Sequence, residues 1–198
     1  MALSPSQLTQ VHRRQQLALR KATMEQVEKV WPALDWADLD KTYPGFAAEV
    51  AALVSKNRNT SSGLAAAYLR AFRVASGRSG DVRIVVPPMD PQQFKVSLRV
   101  TSLVAAKKSA ALLVPADVAM TNALTQSAGA MARLVLNGGR ETVNQTIRAD
   151  DKATGWRRVL GGGGCDFCRL LAGRVYPRDN ADFEAHGKCG CTSEPVYA

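Results

Sequence analysis

The stretch CDFCRLLAGRVYPRDNADFEAHGKCGC, residues 165–191, decides how the end of this chain folds. It contains all four cysteines and one of the two histidines of a 198-residue sequence. The spacing is C-x2-C, then seventeen residues, then H-x2-C-x-C. A tight turn points two thiolates of a C-x2-C toward one metal ion, and a second knuckle roughly 15 to 20 residues later completes a tetrahedron. The sequence therefore predicts a structural zinc site.

Five side chains compete for the four positions of such a site: Cys165, Cys168, His186, Cys189 and Cys191. The two cysteines of the first knuckle are the firmest candidates. The second knuckle draws on the histidine and one or both remaining cysteines, and a four-cysteine site with the histidine outside it is an alternative. Four protein ligands leave no open position for water, so the zinc is expected to be structural. Two disulfides or a redox-active C-x2-C are the competing interpretations.

The composition changes near residue 150 and predicts two domains, a helical body at 1–150 and a zinc-binding module at 151–198. The segment GWRRVLGGGG, residues 155–164, is typical of a strand followed by a glycine-rich turn. The module is too short to bury a large core, and a metal ion would supply the missing folding energy. The predicted fold class is mainly α, with a small zinc-stapled α+β module at the C-terminus.

The first half of the body is predicted to contain three helices. Ser4-Pro5 is a favourable start for a helix that ends at Trp31, before a proline. Phe46–Val54 and Leu64–Ala75 each place apolar residues at helical spacing. The polar segment NRNTSSG, residues 57–63, separates them, so we expect an antiparallel helix pair with a short connection.

The second half of the body combines one short strand with further helices. Val82–Val86 is a candidate strand before two prolines. Gln92–Val114 fits both periodicities, but its long alanine-rich continuation favours a helix. Pro115–Asn137 is a strong helix candidate with Gly138-Gly139 as its C-terminal cap, and a short helix is expected at Glu141–Ala149.

The net charge of +9 is concentrated in the middle of the chain. Residues 56–110 contain ten basic and two acidic side chains. The surplus is either a solvated face or a surface that lies near nucleic acid or an acidic partner. The candidates for such a surface are Lys56, Arg58, Arg70, Arg73, Arg78, Arg83, Lys95, Arg99, Lys107 and Lys108.

Membrane and secretory segments are not predicted. The longest apolar runs are far shorter than the roughly 20 residues that a membrane helix needs. The N-terminal sequence MALSPSQLTQVHRRQQ lacks the apolar centre of a secretory signal. We therefore expect a protein that is made in a cytoplasm-like compartment and makes no membrane contact.

The segment from residue 155 to the end resembles the C-terminal signature of the MuF-like minor head proteins of tailed bacteriophages, and it is most similar to the versions from phages of actinobacteria. The resemblance implies a structural minor capsid or head-morphogenesis protein that assembles in the host cytoplasm and remains inside the virion, near the portal. The implied partners are the portal protein, the major capsid protein or both, and the packaged DNA. The residues that carry it are Cys165, Cys168, Leu171, Ala172, Gly173, Tyr176, Phe183, Ala185, His186, Cys189, Cys191 and Pro195.

Proteins of this kind are often labelled capsid maturation proteases, and the sequence gives that activity little support. His12 falls in the first predicted helix and His186 in the metal motif, while a catalytic triad needs a free, oriented imidazole. Neither H-E-x-x-H nor G-x-S-x-G is present. Ser109 beside Lys107 or Lys108 is the remaining candidate for a dyad. We expect no enzymatic activity, with a maturation protease and a DNA-contacting internal head protein as the alternatives.

Overall fold

A computed structural model describes residues 2–161, 166–180, 183 and 190–198 of the chain. The described part is mainly helical and carries a small antiparallel sheet near the C-terminus. The helices are α1 Pro5–Val30, α2 Leu39–Ala75, α3 Pro91–Arg99, α4 Ala105–Ala111, α5 Ala116–Ala149 and α6 Asp166–Leu171. A π-helical segment, Val100–Val104, joins α3 to α4, and two 3-10 turns, Trp31–Ala33 and Trp36–Asp38, join α1 to α2. The strands are β1 Ala153–Val159, β2 Val175–Pro177 and β3 Thr192–Tyr197.

The start of α1 follows the local sequence. The Ser4 hydroxyl accepts a hydrogen bond from the Gln7 amide at 3.3 Å, and the Gln7 side-chain oxygen accepts one from the Ser4 amide at 2.9 Å. This reciprocal pair is a capping box, which satisfies amides that the first helical turn leaves unpaired. The predicted start at Ser4-Pro5 and end near Trp31 are therefore confirmed.

The predicted helix pair in residues 46–75 is wrong, because α2 is one continuous helix of 37 residues. The polar segment that suggested a turn is largely buried and hydrogen-bonded instead. Asn57 donates to the Thr23 hydroxyl at 3.0 Å and Arg58 donates to the Leu134 carbonyl at 2.9 Å. Ser61 donates to the Gln16 side-chain oxygen at 2.7 Å. These tertiary bonds satisfy the polar side chains that would otherwise favour a turn, so the helix continues.

The predicted cap at Gly138-Gly139 is also wrong, because α5 continues to Ala149. A Cβ atom at Gly139 would lie 2.7 Å from the Ser61 hydroxyl and 2.7 Å from the Gln16 side-chain nitrogen. The Gly139 amide also donates to the Ser61 hydroxyl at 3.0 Å. The glycine therefore permits close packing of one helix on another, which local sequence cannot distinguish from a helix end.

The prediction for residues 82–114 is half right. Residues 81–90 contain neither helix nor strand, and the Val85 amide donates to the Thr146 hydroxyl rather than to a sheet. The preferred helix in Gln92–Val114 is confirmed as α3, the π-helical segment and α4. Asp90 caps this helix by accepting a hydrogen bond from the Gln92 amide at 2.8 Å.

The C-terminal sheet has the strand order β2-β1-β3, with both pairs antiparallel. The predicted strand at residues 155–160 is confirmed as the centre of this sheet. Gly155 sits at a register shift between β1 and β3, and a Cβ atom there would lie 2.1 Å from the Tyr176 carbonyl oxygen. Only glycine allows β2 to approach β1 this closely.

The chain forms two compact units, and the long helices α1, α2 and α5 contribute residues to both. Unit 1 comprises residues 1–18, 59–88 and 136–198, and its apolar core includes Phe72, Ile147 and Trp156. Unit 2 comprises residues 19–58 and 89–135, and its core includes Phe46, Leu98 and Met131. The predicted boundary between residues 150 and 151 falls inside unit 1. Independent folding of 1–150 and 151–198 stays a prediction.

Candidate metal centre

The two predicted metal ligands that the structure describes lie together. Cys168 is in α6 and Cys191 directly precedes β3. Both side chains are buried, and they form one apolar cluster with the partly buried Leu160 and Phe183. The fold therefore brings one cysteine of the first knuckle, Cys168, and the last cysteine of the second knuckle into one buried cluster.

The other three predicted ligands, Cys165, His186 and Cys189, lie outside the described residues. Within residues 2–161, 166–180, 183 and 190–198, no three Cys, His, Asp or Glu side chains converge as a metal site would require. The zinc site and its exact ligand set therefore stay predictions.

Backbone packing next to the two described cysteines brings their flanking segments into contact. A Cβ atom at Gly161 would lie 2.6 Å from the Gly190 carbonyl oxygen. Gly161 ends the segment that follows β1, and Gly190 directly precedes Cys191. This contact holds the chain that leads to the first knuckle against the residue that precedes Cys191 in the second knuckle, which is the convergence that a two-knuckle site needs.

Positive charge lies beside the buried sulfur atoms. Arg158 of β1 is buried, and its Nη1 atom donates to the Cys168 Sγ atom at 3.9 Å. Its guanidinium group lies 4.0 Å from the centre of the Phe183 ring, and that of Arg140 lies 5.5 Å from the same ring. A zinc ion with three or four thiolate ligands carries a net negative charge, which nearby guanidinium groups would offset. The donor types and their surroundings therefore fit a structural zinc ion.

A small cavity adjoins Cys191 and is lined in part by His12, which the sequence placed in the first helix without assigning it a site. The cavity has a volume of about 20 Å³, enough for one water molecule, and His12, Gln16, Arg140 and Cys191 contribute to its lining. Burial lowers the pKa of His12 to about 4. Its ring is stacked on Tyr68 with centroids 4.5 Å apart, and its Nδ1 atom has no hydrogen-bond partner in the described part of the chain. His12 is therefore neutral near pH 7.

A buried carboxylate network connects the sheet to the N-terminal helix. Glu194 of β3 accepts hydrogen bonds from the Thr9 hydroxyl at 2.5 Å and from Arg157 Nε at 2.7 Å. The Tyr68 hydroxyl lies 3.0 Å from the Thr9 hydroxyl. Burial raises the pKa of Tyr68, and the Glu194 charge adds to that shift. The network is missed by sequence analysis because its members lie up to 185 residues apart.

A second buried ion pair joins α2 to the end of α5. Arg73 donates to the Asp150 carboxylate, which also accepts hydrogen bonds from the Tyr197 hydroxyl at 3.2 Å and the Lys152 amide at 3.0 Å. Burial acts to raise the pKa of Asp150, but the hydrogen bonds and charge of Arg73 outweigh it and the pKa is lowered. Burial, with the Asp150 charge adding to it, raises the pKa of Tyr197 to about 12.

The ten basic residues of segment 56–110 do not share one environment. Arg58 and Arg73 are buried, so both are removed from the candidate nucleic-acid surface. Arg78 is half-buried, and Lys107 pairs with Asp40 at 2.6 Å on the surface. The remaining six are exposed: Lys56, Arg70, Arg83, Lys95, Arg99 and Lys108. Four of the ten belong to unit 1 and six to unit 2, and nucleic-acid binding by the exposed members stays a prediction.

Comparison with known families gives one match that covers almost the whole chain. Residues 3–198 match the family described as VG15 protein. No curated protein and no solved structure matches the chain. Among the described helices, none is long and apolar enough to cross a membrane.

Proposed function

Because this chain belongs to the VG15 protein family, which indicates a phage protein, we propose that it is a structural minor capsid protein of a tailed phage. In this role it contacts the portal protein or the inner face of the major capsid protein during head assembly. A zinc ion, held by four of the five Cys and His candidates, stabilises the C-terminal segment. The protein acts as a component of the assembly and has no catalytic role.

The observation that carries the zinc part of the proposal is the meeting of Cys168 and Cys191 in one buried cluster. The two residues are 23 positions apart, and each belongs to a different knuckle of the motif. A metal ion bound by cysteines of both knuckles would supply folding free energy to this segment, and disulfides are rare in reducing compartments. Arg158 beside Cys168 favours the metal, because a guanidinium group stabilises thiolate ligands and has no comparable role beside a disulfide.

The zinc ion would be structural in this chain. Bound zinc supplies cross-linking between the two knuckles and folding free energy. Cys168 and Cys191 would contribute thiolates from within the described structure, with Arg158 oriented against the first by its stacking on Phe183. The Gly161–Gly190 contact would hold the flanking backbones in place.

Metal analysis of the purified full-length protein tests the zinc site. We expect about one zinc ion per chain and loss of that zinc in Cys168→Ser and Cys191→Ser. Leu160→Ala is the matched control, because Leu160 packs against the same cluster but carries no ligand atom. The control should keep its zinc while losing some stability. Wild-type protein with no zinc and unchanged stability after chelation would refute the site.

Co-expression with the portal and major capsid proteins of the same phage tests the assembly role. We expect the chain to co-purify with at least one of them at physiological ionic strength. Failure to bind either protein, with zinc fully loaded, would refute the assembly role and leave the metal site intact. The outcomes of the two experiments are thus independent.

The two alternative functions, DNA contact and capsid maturation proteolysis, are each tested by a separate measurement. A DNA-contacting role through the exposed basic residues predicts binding that weakens steeply as salt rises. Exchange of Arg70 and Arg83 for glutamine should weaken such binding without unfolding the protein, because both side chains are exposed. A maturation protease would cut the purified major capsid protein at specific positions, whereas a structural protein leaves it intact.

A further inference from the structure

A line of exposed valines runs along the helix formed by α3, the π-helical segment and α4. Val96, Val100 and Val104 are about half exposed and follow one another at four-residue steps. The opposite side of the same helix is buried through Phe94, Leu98 and other residues of the unit 2 core. The three valines therefore form an apolar stripe on a surface where polar side chains would be expected.

The π-helical segment keeps this stripe straight. In an α-helix a four-residue step exceeds one turn, so a residue line drifts around the axis. The Ala105 amide donates to the Val100 carbonyl, an i to i−5 hydrogen bond that places one more residue in that turn. The step from Val100 to Val104 crosses this wider turn and falls short of one full turn. It therefore offsets the rotation around the helix axis that accumulates between Val96 and Val100. π-helical turns of this kind recur at functional sites.

Two further exposed leucines, Leu112 and Leu113, directly follow α4, and the second has an unfavourable backbone conformation. Leu113 is 91% exposed and has a φ of 56°, a left-handed conformation that usually belongs to glycine. The Val114 amide donates to the Ser109 carbonyl and the Leu113 amide to that of Ala110, which is a Schellman cap. An apolar side chain is thus both strained and solvated at this position. Such features persist where they serve a function.

The positive charge beside the valine stripe indicates which kind of partner would bind there. Residues 91–116 contain no acidic side chain, and Lys95 and Arg99 each directly precede one of the valines and are exposed. Lys108 is also exposed. A second copy of this chain using the same face would place these cations against their equivalents. The exposed large apolar side chains of residues 91–114 are valines and leucines and include no aromatic residue, which surface-bound membrane helices typically use.

From these observations we propose that the exposed face of α3 to α4, defined by Val96, Val100 and Val104, binds an acidic amphipathic helix of another protein. The valines contact the apolar side of that helix, and Lys95 and Arg99 pair with its carboxylates. This surface belongs to unit 2 and includes none of the predicted metal ligands. It stands whether or not the partner is the portal protein.

Fluorescence anisotropy with the full-length chain tests this surface. The probe is a labelled helical peptide of leucine and glutamate in heptads, and its counterpart with lysine in place of glutamate controls for hydrophobic attraction alone. We expect the acidic peptide to bind, binding to weaken with salt, and the lysine peptide to remain free. Equal binding of both peptides, or of neither, would overturn the proposal.

Two variants and a matched control localise the binding. Val100→Asp should weaken the binding of the acidic peptide by at least about tenfold. The new carboxylate would lose its hydration against the apolar side of the peptide and would repel the peptide's glutamates. The double variant Lys95→Gln and Arg99→Gln keeps the apolar stripe and should reduce the salt dependence. The matched control is Val74→Asp, which changes a valine that is 75% exposed in α2. This variant should bind the acidic peptide as tightly as the wild-type protein does. Unchanged binding in Val100→Asp would overturn the assignment of this face.

Two further outcomes identify a different occupant and would equally overturn the proposal. Binding of the wild type, but not of Val100→Asp, to vesicles of phosphatidylglycerol would identify a lipid surface. A concentration-dependent dimer that Val100→Asp abolishes in analytical ultracentrifugation would identify a second copy of the chain.

Discussion

The two compact units bury different kinds of residue. Unit 2 is built around a cluster of sixteen buried apolar residues, and its one buried charged side chain, Arg58, donates to a backbone carbonyl. In the described part of unit 1 the larger apolar cluster has eight buried residues. The described part of unit 1 also buries six Asp, Glu, Arg and His side chains: His12, Arg73, Arg140, Asp150, Arg158 and Glu194. Packing therefore dominates the stability of unit 2, whereas unit 1 depends on paired charges and on pH.

The largest expected effect comes from breaking the buried ion pair of unit 1. Asp150→Ala leaves the Arg73 guanidinium buried without its carboxylate and removes the acceptor of Tyr197. Removal of one partner from a buried pair typically costs about 3–5 kcal/mol in the free energy of unfolding. Urea denaturation measures this loss.

The matched control for that experiment is the exposed ion pair of unit 2. Asp40→Ala removes the partner of Lys107, where the carboxylate side chain is 74% exposed. Because solvent screens such pairs, this change should cost less than about 1 kcal/mol. A comparable cost for both variants would contradict the contrast between the units.

The next largest expected effect is that His12 makes the stability of unit 1 depend on pH. The pKa of His12 is lowered from 6.5 to about 4, so the unfolded chain binds a proton more readily than the folded one. The stability that this group contributes is complete above pH 6.5 and is lost as pH falls toward 4. The corresponding decrease in the free energy of unfolding is about 3 kcal/mol when the loss is complete.

Urea denaturation at several pH values measures this dependence. His12→Phe retains a ring that can stack on Tyr68 but cannot be protonated. The difference between wild type and variant should change across pH 4 to 6.5 and stay constant above it. Parallel pH profiles for the two proteins would show that His12 is not buried in its neutral form.

A smaller effect distinguishes two glycines of the same helix, α5. Gly139→Ala in unit 1 would place its Cβ atom 2.7 Å from the Ser61 hydroxyl, and we expect a loss of about 1–3 kcal/mol. Gly129→Ala in unit 2 meets no atom within 4 Å, so the higher helix propensity of alanine should raise stability by up to about 1 kcal/mol. Opposite signs in thermal or urea denaturation are the expected result, and equal signs would contradict the close packing at Gly139.

The smallest effect concerns two helix caps of the same geometry. The Schellman cap that ends α2 has glycine at its left-handed position, Gly77, while the equivalent position of α4 is Leu113. Leu113→Gly should raise the stability of the protein by about 0.5–1 kcal/mol, because it relieves the steric cost of a left-handed side chain. If the exposed leucine contacts a partner, the same variant should bind the acidic peptide more weakly. A destabilised variant would show that Leu113 is not strained.

Several elements could be predicted from local sequence because their causes are local. The start of α1 depends on Ser4 and Gln7, which lie three residues apart, and β1 depends on the pattern around Trp156. The mistakes have a common origin in buried polar and small residues. Asn57, Ser61 and Gly139 favour turns or caps when solvent is their only partner, but here other helices supply the partners.

The amino-acid sequence by itself determined the mainly helical composition, the capped start of α1 and the spacing of the candidate metal ligands. These features depend on backbone preference and on residues within one or two turns of each other. Tertiary structure decided that α2 and α5 continue through their polar and glycine segments, and that Cys168 meets Cys191. It also decided that His12 and Glu194 are buried near residues more than fifty positions away. The physical reason is that the energy of a buried polar group depends on its partners, which only the assembled fold supplies.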